Sequence, residues 1–473
     1  MRTAPAPTTR TLTLVVAAAL FMESLTSTVI ATSLAAIAAD LQVDPLTLKL
    51  AFTAYFVALA IFIPVSGWCA DRFGARTVFA AAIAVFTLAS VGCALAWSLP
   101  SLVAGRFCQG LGGAMMLPVG RLILLRAIPK AEMVSAMAWL GIPTLFAPIL
   151  GPPVGGFITT YHHWRGIFWL NLPVGLVGLA LALWWVPQVR ADHAPPLDWR
   201  GFALTGAGLS LAIFGFTLLG GVGGRSSHPG PALAMMAGGA LLLWLYARHA
   251  QRCPHPILDL TLLHSASLRI SILGGNLFRL AVGALPFLLP LMLQLGFGMS
   301  AFQSGLLTFS AAVGAVTMKL TAAPILRRWG FRRVLLANAW LSSALIAALA
   351  LFTAQTPGPV IMAVLLVGGF FRSLQFTSLN TLGYADVPQA RLSRATALVA
   401  VAQQLSLAAG VAVAAMLLDG SRLASGRSDL QAVDFTRAFA AIGLLSLASI
   451  WWYRRLAPDA GAEMSGHRPN AVI

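Results

Sequence analysis

Long apolar stretches alternate with short polar ones along the whole 473-residue chain. The apolar runs cover approximately residues 11–39, 48–66, 77–97, 101–125, 133–160, 167–186 and 202–221. They continue at 232–247, 267–295, 300–320, 334–352, 359–382, 395–418 and 435–453. Most approach or exceed the roughly 20 residues that an α-helix needs to cross the hydrocarbon core of a bilayer. The pattern predicts an all-α polytopic membrane protein with 14 transmembrane helices, the run at 232–247 being the shortest. An even number of crossings puts both termini on one side. The first run reaches Ala39, well past the roughly 7–15 residues of a signal-peptide core, and reads as a retained helix.

The polar positions orient these helices. One alternating set of loops is rich in bases, among them Arg2, Arg10, Arg72, Arg76, Lys130, Arg327, Arg328, Arg332, Arg333, Arg454, Arg455 and Arg468. The opposite set holds only Lys49, Arg165, Arg225, Arg422, Arg427 and Arg437. Loops rich in Lys and Arg stay in the cytoplasm, so both termini are expected there, with the body in a bacterial inner membrane. Trp97, Trp164, Trp184, Trp329 and Trp451 fall near predicted helix ends, as interfacial belts do.

Composition agrees. The chain is 58% hydrophobic and 10% charged, against about 25% charged in soluble domains. The net charge of +17 is accounted for by topology, so no nucleic-acid partner is expected. Cys69, Cys93, Cys108 and Cys253 are scattered without metal-like spacing, and His162-His163 sits at an outer helix end. No metal and no cofactor are expected.

An internal repeat is visible in the basic loops. GWCADRFGAR (67–76) follows the second run and APILRRWGFR (323–332) the tenth. Arg72 meets Arg328, Gly74 meets Gly330 and Arg76 meets Arg332, while the same register sets Glu23 against Arg279. Such repeats are common in transporters. The organisation expected is a cytoplasmic tail (1–10), a six-helix bundle (11–186) and a linker with two extra transmembrane helices (187–266). A second six-helix bundle (267–453) and a cytoplasmic tail (454–473) complete it.

Ionisable residues at membrane depth are costly and point to function. Glu23, Arg106, Arg279, Lys319 and Arg372 qualify, and Glu23 is the single acid. It lies about 18 Å into its helix at 1.5 Å per residue, near midplane. Desolvation favours the neutral acid and a nearby guanidinium the carboxylate, a balance suited to exchanging a proton. Arg279 and Arg372 are placed to bind anionic substrate groups or to pair with Glu23, and Lys319 to do the same or to snorkel. Thr26, Gln109, Asn276, Gln375, Asn380, Gln403 and Gln404 complete the candidate substrate-binding set, with helix–helix hydrogen bonding as the alternative.

These stretches look like the major facilitator superfamily. GWCADRFGAR resembles its loop signature G-x-L-A-D-R-x-G-R-R, with Gly67, Asp71, Arg72, Gly74 and Arg76 in place. LVAGRFCQGLGGA (102–114) resembles the fourth-helix signature through Arg106, Gln109, Gly110 and Gly112. PILGPPVGG (148–156) resembles the antiporter signature of the fifth helix through Gly151, Pro152, Gly155 and Gly156. There Ala147, Gly151 and Gly155 form a small-residue ladder, and Pro143, Pro148 and Pro152 bend the helix. WRGIFWLNLPVG (164–175), with Asp198 and Gly201, is similar to the fourteen-helix drug:proton antiporters of EmrB/QacA type. LPLMLQLGFGMSAFQSGLL and FRSLQFTSLNTL look nearest to MdtD-like members.

The resemblance implies two six-helix bundles plus two inserted helices. It implies a loop latch at Gly67–Arg76 that holds the cytoplasmic side shut in one state, and a part for Arg106 in proton coupling. The family's first-helix aspartate, in L-D-x-T-I-V-N, corresponds here to Thr26. Glu23 lies three residues earlier and shares that helix face. The function implied is secondary active transport, with proton-coupled antiport exporting drugs or other small molecules by alternating access. The proton gradient would be the energy source and a monomer in the lipid bilayer the working unit. The alternatives are an exporter of organic anions or metal-chelate anions, and a non-transporting membrane sensor. No phosphate-cradling loop, paired carboxylates or Ser/His constellation suggests an ATPase or an enzyme.

Overall fold

The computed structural model describes residues 9–128, 132–190, 196–221, 229–427 and 429–467. Arg2, Lys130, Arg225 and Arg468 lie outside these, as do the side chains of Pro143 and several neighbours in its helix. All regular structure described is helical. The helices that matter below are α1 (Thr9–Val29), α2 (Lys49–Phe73), α3 (Ala75–Ala94), α4 (Leu99–Ala127), α5 (Met133–Tyr161), α6 (Asn171–Trp185), α7 (Trp199–Leu219) and α8 (Pro229–Ala250). They continue with α9 (Ala266–Leu291), α10 (Ala301–Ala348), α11 (Gly358–Leu382), α12 (Leu392–Ala424) and α13 (Ala432–Leu447).

Local chemistry starts these helices where the polar breaks lie. Ser98 and Ser101 form a capping box ahead of α4, and Ser300 and Gln303 another ahead of α10. Each satisfies amide groups that have no intrahelical partner. Asp198 accepts from the Gly201 amide at 2.8 Å to start α7. The short run at 232–247 sits inside a 22-residue helix, α8.

Twelve helical stretches among the described residues are long and apolar enough to cross a membrane. One of them, Ala301–Leu351, covers 51 residues. The runs at 300–320 and 334–352 were expected to be separated by a loop, but only one residue separates them: Gly330, at φ 69° and ψ 164°. Gly74 does the same between α2 and α3, at φ 91° and ψ 139°. Both angles lie where only glycine is unstrained. The two copies of the basic-loop motif thus share a one-residue break at the same glycine.

Residues 9–186 and 266–453 meet most closely at one end, called here the Asp44 end. Val29, Ile37, Phe52, Phe287, Leu288 and Phe439 belong to one buried apolar cluster there, with Phe52 and Phe287 edge to face at 6.3 Å. Separate clusters fill each half nearer the Gly74 end. α7 and α8 pack on one another, and α7 also packs on α2 and α12. The outward side chains of α8, such as Leu241, Trp244 and Leu245, stay exposed, as lipid-facing positions do.

Candidate functional site: a polar network and a cavity between the halves

Glycines allow the first element of the site to form. A Cβ at Gly110 would lie 2.5 Å from the Tyr55 carbonyl oxygen, and one at Gly113 only 3.4 Å from the Glu23 side chain. α4 can therefore lie against α2 and α1, which brings Arg106 over Tyr55. The guanidinium carbon stands 4.2 Å from the ring centre, a cation–π distance. Tyr55 donates from Oη to Glu23 Oε1 at 2.8 Å, and Ser24 Oγ approaches Oε2 at 3.4 Å.

The network continues away from the acid. Arg106 Nη1 donates to Gln109 Oε1 at 2.5 Å, and Gln109 Nε2 donates to Ser90 Oγ at 2.7 Å. Ser90 also accepts from Asn171 Nδ2 at 3.3 Å, and Thr26 Oγ1 donates to Asn171 Oδ1 at 2.8 Å. Five helices, α1, α2, α3, α4 and α6, are thereby tied together by side chains. Arg106, Gln109, Ser90, Asn171 and Thr26 are buried, whereas Glu23 is half-buried. Glu23 and Thr26, expected on one helix face, both belong to this network, with the acid at its accessible end. Thr26 and Gln109 are internal ties and line none of the described cavities.

The second element is a cavity between α1 and α5 on one side and α9, α10 and α11 on the other. Its narrower chamber, about 230 Å³, is bounded by Ser27, Thr28, Pro152, Leu285, Leu289 and Leu365 among others. The wider chamber, about 460 Å³, lies toward the Gly74 end and includes Pro148, Lys319, Ser373, Thr377 and Asn380. Val282, Ala311 and Arg372 border both. Arg372 is half-buried and Lys319 exposed. Among the described residues neither side chain has a hydrogen-bond or ion-pair partner, and no described lining residue is an acid.

Arg279 departs from expectation. It is fully buried within the second half, with Nη2 on Asn380 Oδ1 at 2.9 Å and Nη1 on the Ser271 carbonyl at 3.3 Å. It neither pairs with Glu23 nor borders the cavity, because its helix turns this face toward α11. Gln375 is likewise internal: it accepts from Asn338 at 2.7 Å and is fully buried. Asn276, Gln403 and Gln404 border neither chamber.

At the Asp44 end the halves are closed by contact. Arg422, 8% exposed, bridges Asp44 at 2.7 Å and Asp419 at 2.6 Å. Gln294 Nε2 donates to the Thr32 carbonyl at 3.0 Å, and the Phe302 amide to Thr160 Oγ1 at 2.9 Å. Of the antiporter-signature glycines, Gly151 and Gly155 pack α5 on α1 within the first half, and Gly156 faces the second half at this seal. A Cβ at Gly151 would meet Thr28, one at Gly155 would lie 2.6 Å from the Val29 carbonyl oxygen, and one at Gly156 would lie 2.8 Å from Phe302 Cα. Across the interface, a Cβ at Gly305 would lie 2.7 Å from the Pro152 carbonyl carbon. Lys49, assigned to a loop, is 1% exposed and caps α7 through the Gly220 and Gly221 carbonyls at 3.2 and 2.9 Å. At the other end, the motif residue Asp71 pairs with Arg126 at 2.7 Å, within the first half. Gly67 has open space around it, and Arg72 and Arg76 make no described ion pair.

One convergence escaped the sequence. Asp198, His249 and Cys253 bring ligand atoms within 4.8 Å of one another, the one described group able to hold a metal ion. His249 Nε2 lies 2.7 Å from Asp198 Oδ1, so capping and pairing already engage that oxygen. Residues 198 and 249 come together only because α7 and α8 form a hairpin.

Two helical bundles closing on a central cavity, with charges inside apolar helices, are the architecture of a membrane transporter and not of an enzyme. The chain belongs to the Major Facilitator Superfamily, whose family model matches residues 16–248 and 271–470. It is 36% identical over 456 residues to the probable transport protein HsrA of Haemophilus influenzae, covering 96% of this chain and 97% of that one. It is 36% identical over 408 residues to a Salmonella heidelberg (strain SL476) protein provisionally named for multidrug resistance, MdtD, covering 85% of each. Among solved structures, a D-xylose–proton symporter matches with a TM-score of 0.68 at 17% identity, over 95% of this chain and 98% of that one.

Proposed function

We propose that this chain is a proton-coupled antiporter that exports small molecules across a bacterial inner membrane. Fourteen crossings with both termini in the cytoplasm would follow from the helices described, with α5 as one crossing and α10 as two. In that orientation the Asp44 end faces outward and the cavity is reached from the cytoplasm. The gene-product names of the HsrA and MdtD relatives support transport and efflux. The observation that carries the proton reading is the Glu23 network. A single half-buried carboxylate at membrane depth is held by Tyr55 and lies near the buried Arg106. Such a group can take a proton in one state of the transporter and give it up in the other. The helix packing that places Arg106 over Tyr55 is the means by which bundle motion would alter its surroundings.

The test is Glu23→Gln in proteoliposomes with an imposed pH gradient, using ethidium, chloramphenicol and 2-naphthoate as cationic, neutral and anionic probes. Wild type should move at least one probe against protons, read with a trapped pH dye. The variant, with an unchanged melting curve in detergent, should move none in response to the gradient. Gradient-driven movement at the wild-type rate by Glu23→Gln would end the proposal.

A further inference from the structure

Among the described residues, the cavity between the halves has two charged lining groups, and both are bases. Arg372 sits where the two chambers join, and Lys319 lies in the wider one. The base of Arg279, by contrast, is engaged by Asn380 and a carbonyl. Glu23, the single acid singled out at membrane depth, accepts instead from Tyr55 and Ser24. A cation held at membrane depth without a counter-charge is expensive. That cost is recovered when an anion arrives, and a guanidinium offers a carboxylate or sulfonate a two-pronged donor face.

The shape of the cavity adds to this. Beyond Arg372 the narrower chamber is walled by Leu285, Pro286, Leu289, Leu349 and Leu365. Ser373, Thr377 and Asn380 lie on the opposite side of Arg372, in the wider chamber. An apolar slot therefore leads away from a basic, polar mouth.

We propose that Arg372 and Lys319 form the head-group subsite for an amphiphilic organic anion whose apolar body occupies the narrower chamber. Resting on the transport reading above, this assigns the substrate class. Arg372 makes the main contact, because it borders both chambers and is half-buried. Lys319, exposed on α10, adds attraction at the mouth.

Equilibrium binding to the detergent-solubilised protein, followed by calorimetry without a pH gradient, tests the assignment independently of proton coupling. The probes are 2-naphthoate, 2-naphthamide, 2-naphthylmethylammonium and acetate. Naphthoate should bind more tightly than each of the other three, acetate failing because it has no apolar body. Arg372→Gln should weaken naphthoate roughly ten- to a hundredfold, the range of a charge-assisted hydrogen bond, and leave naphthamide unchanged. Arg372→Lys should restore part of the loss, and Lys319→Gln should weaken binding by a few-fold. Glu23→Gln should still bind naphthoate, so that loss of coupling and loss of anion recognition are read separately. Equal or tighter binding of the ammonium probe, failure of every probe to bind, or unchanged naphthoate binding by a folded Arg372→Gln each overturns the proposal.

Discussion

The two halves of the molecule treat intramembrane charge in opposite ways. In the first, Glu23 and Arg106 share a side-chain network that runs through Tyr55, Gln109, Ser90, Asn171 and Thr26. In the second, Arg279 is locked away by Asn380, while Arg372 and Lys319 stand in the cavity without described partners. An internal repeat has therefore kept its geometry, down to the breaks at Gly74 and Gly330, and divided its chemistry. On the functions proposed above, the half with the acid would hold a proton, and the half with Arg372 and Lys319 would meet a ligand.

This division predicts a graded set of effects. The largest is expected from Arg106→Ala, which leaves a buried network without its cation. The melting midpoint in detergent should fall by the equivalent of about 2–5 kcal/mol, the combined loss of a charge-assisted hydrogen bond to Gln109 and a desolvated cation–π contact with Tyr55, and gradient-driven transport should be lost. A midpoint within experimental error of wild type would mean that Arg106 does not hold the network together. Arg279→Met should cost less, about 1–3 kcal/mol, because Asn380 Oδ1 loses its donor. Relative affinities for anionic and neutral probes should not change, and a selective loss of anion binding would place Arg279 in the substrate site after all.

Tyr55→Phe keeps the ring under Arg106 and removes only the hydroxyl on Glu23, at about 1 kcal/mol of stability. Its signature should be an altered pH profile of transport with unchanged probe binding. The smallest effect lies outside the membrane, at Asp259. Burial pushes its carboxyl up, but donation from Thr261, with Arg391 and Arg394 nearby, outweighs this and holds it below the usual carboxylate range. A lowered folded value stabilises above the unfolded one, and the gain is lost as pH falls through the folded one. Asp259→Asn should therefore destabilise at pH 7, begin to converge with wild type below about pH 4, near the unfolded carboxyl value, and match it only below the lowered folded value. Parallel melting curves at all pH values would remove the ion pair from the account.

The sequence carried the fold well, because apolar runs of membrane length and basic loops are one-dimensional signals. It also singled out Glu23, Arg106, Arg279, Lys319 and Arg372 as charges inside apolar runs. Which way those charges face was not available, since a rotation of a helix by one residue moves a side chain from cavity to core. Arg279 and Arg372 looked equivalent for that reason, and so did Gln375 and Asn380. Tyr55 and Ser90 were missed because an aromatic ring or a hydroxyl in an apolar run gives no signal until its partner is known. The break at Gly330 was read as a loop because Arg327, Arg328, Arg332 and Arg333 flank it, although the helix resumes at once.

The seal at the Asp44 end has a further consequence. Gly156 lies against the backbone of Ala301 and Phe302, and Gly305 against that of Pro152. At these two points main chain touches main chain, so no side chain can swivel aside there to make a small gap. It can part only when whole helices separate. A barrier built this way leaves little room for a half-open state at these two contacts, where hydrogen atoms stand in place of side chains.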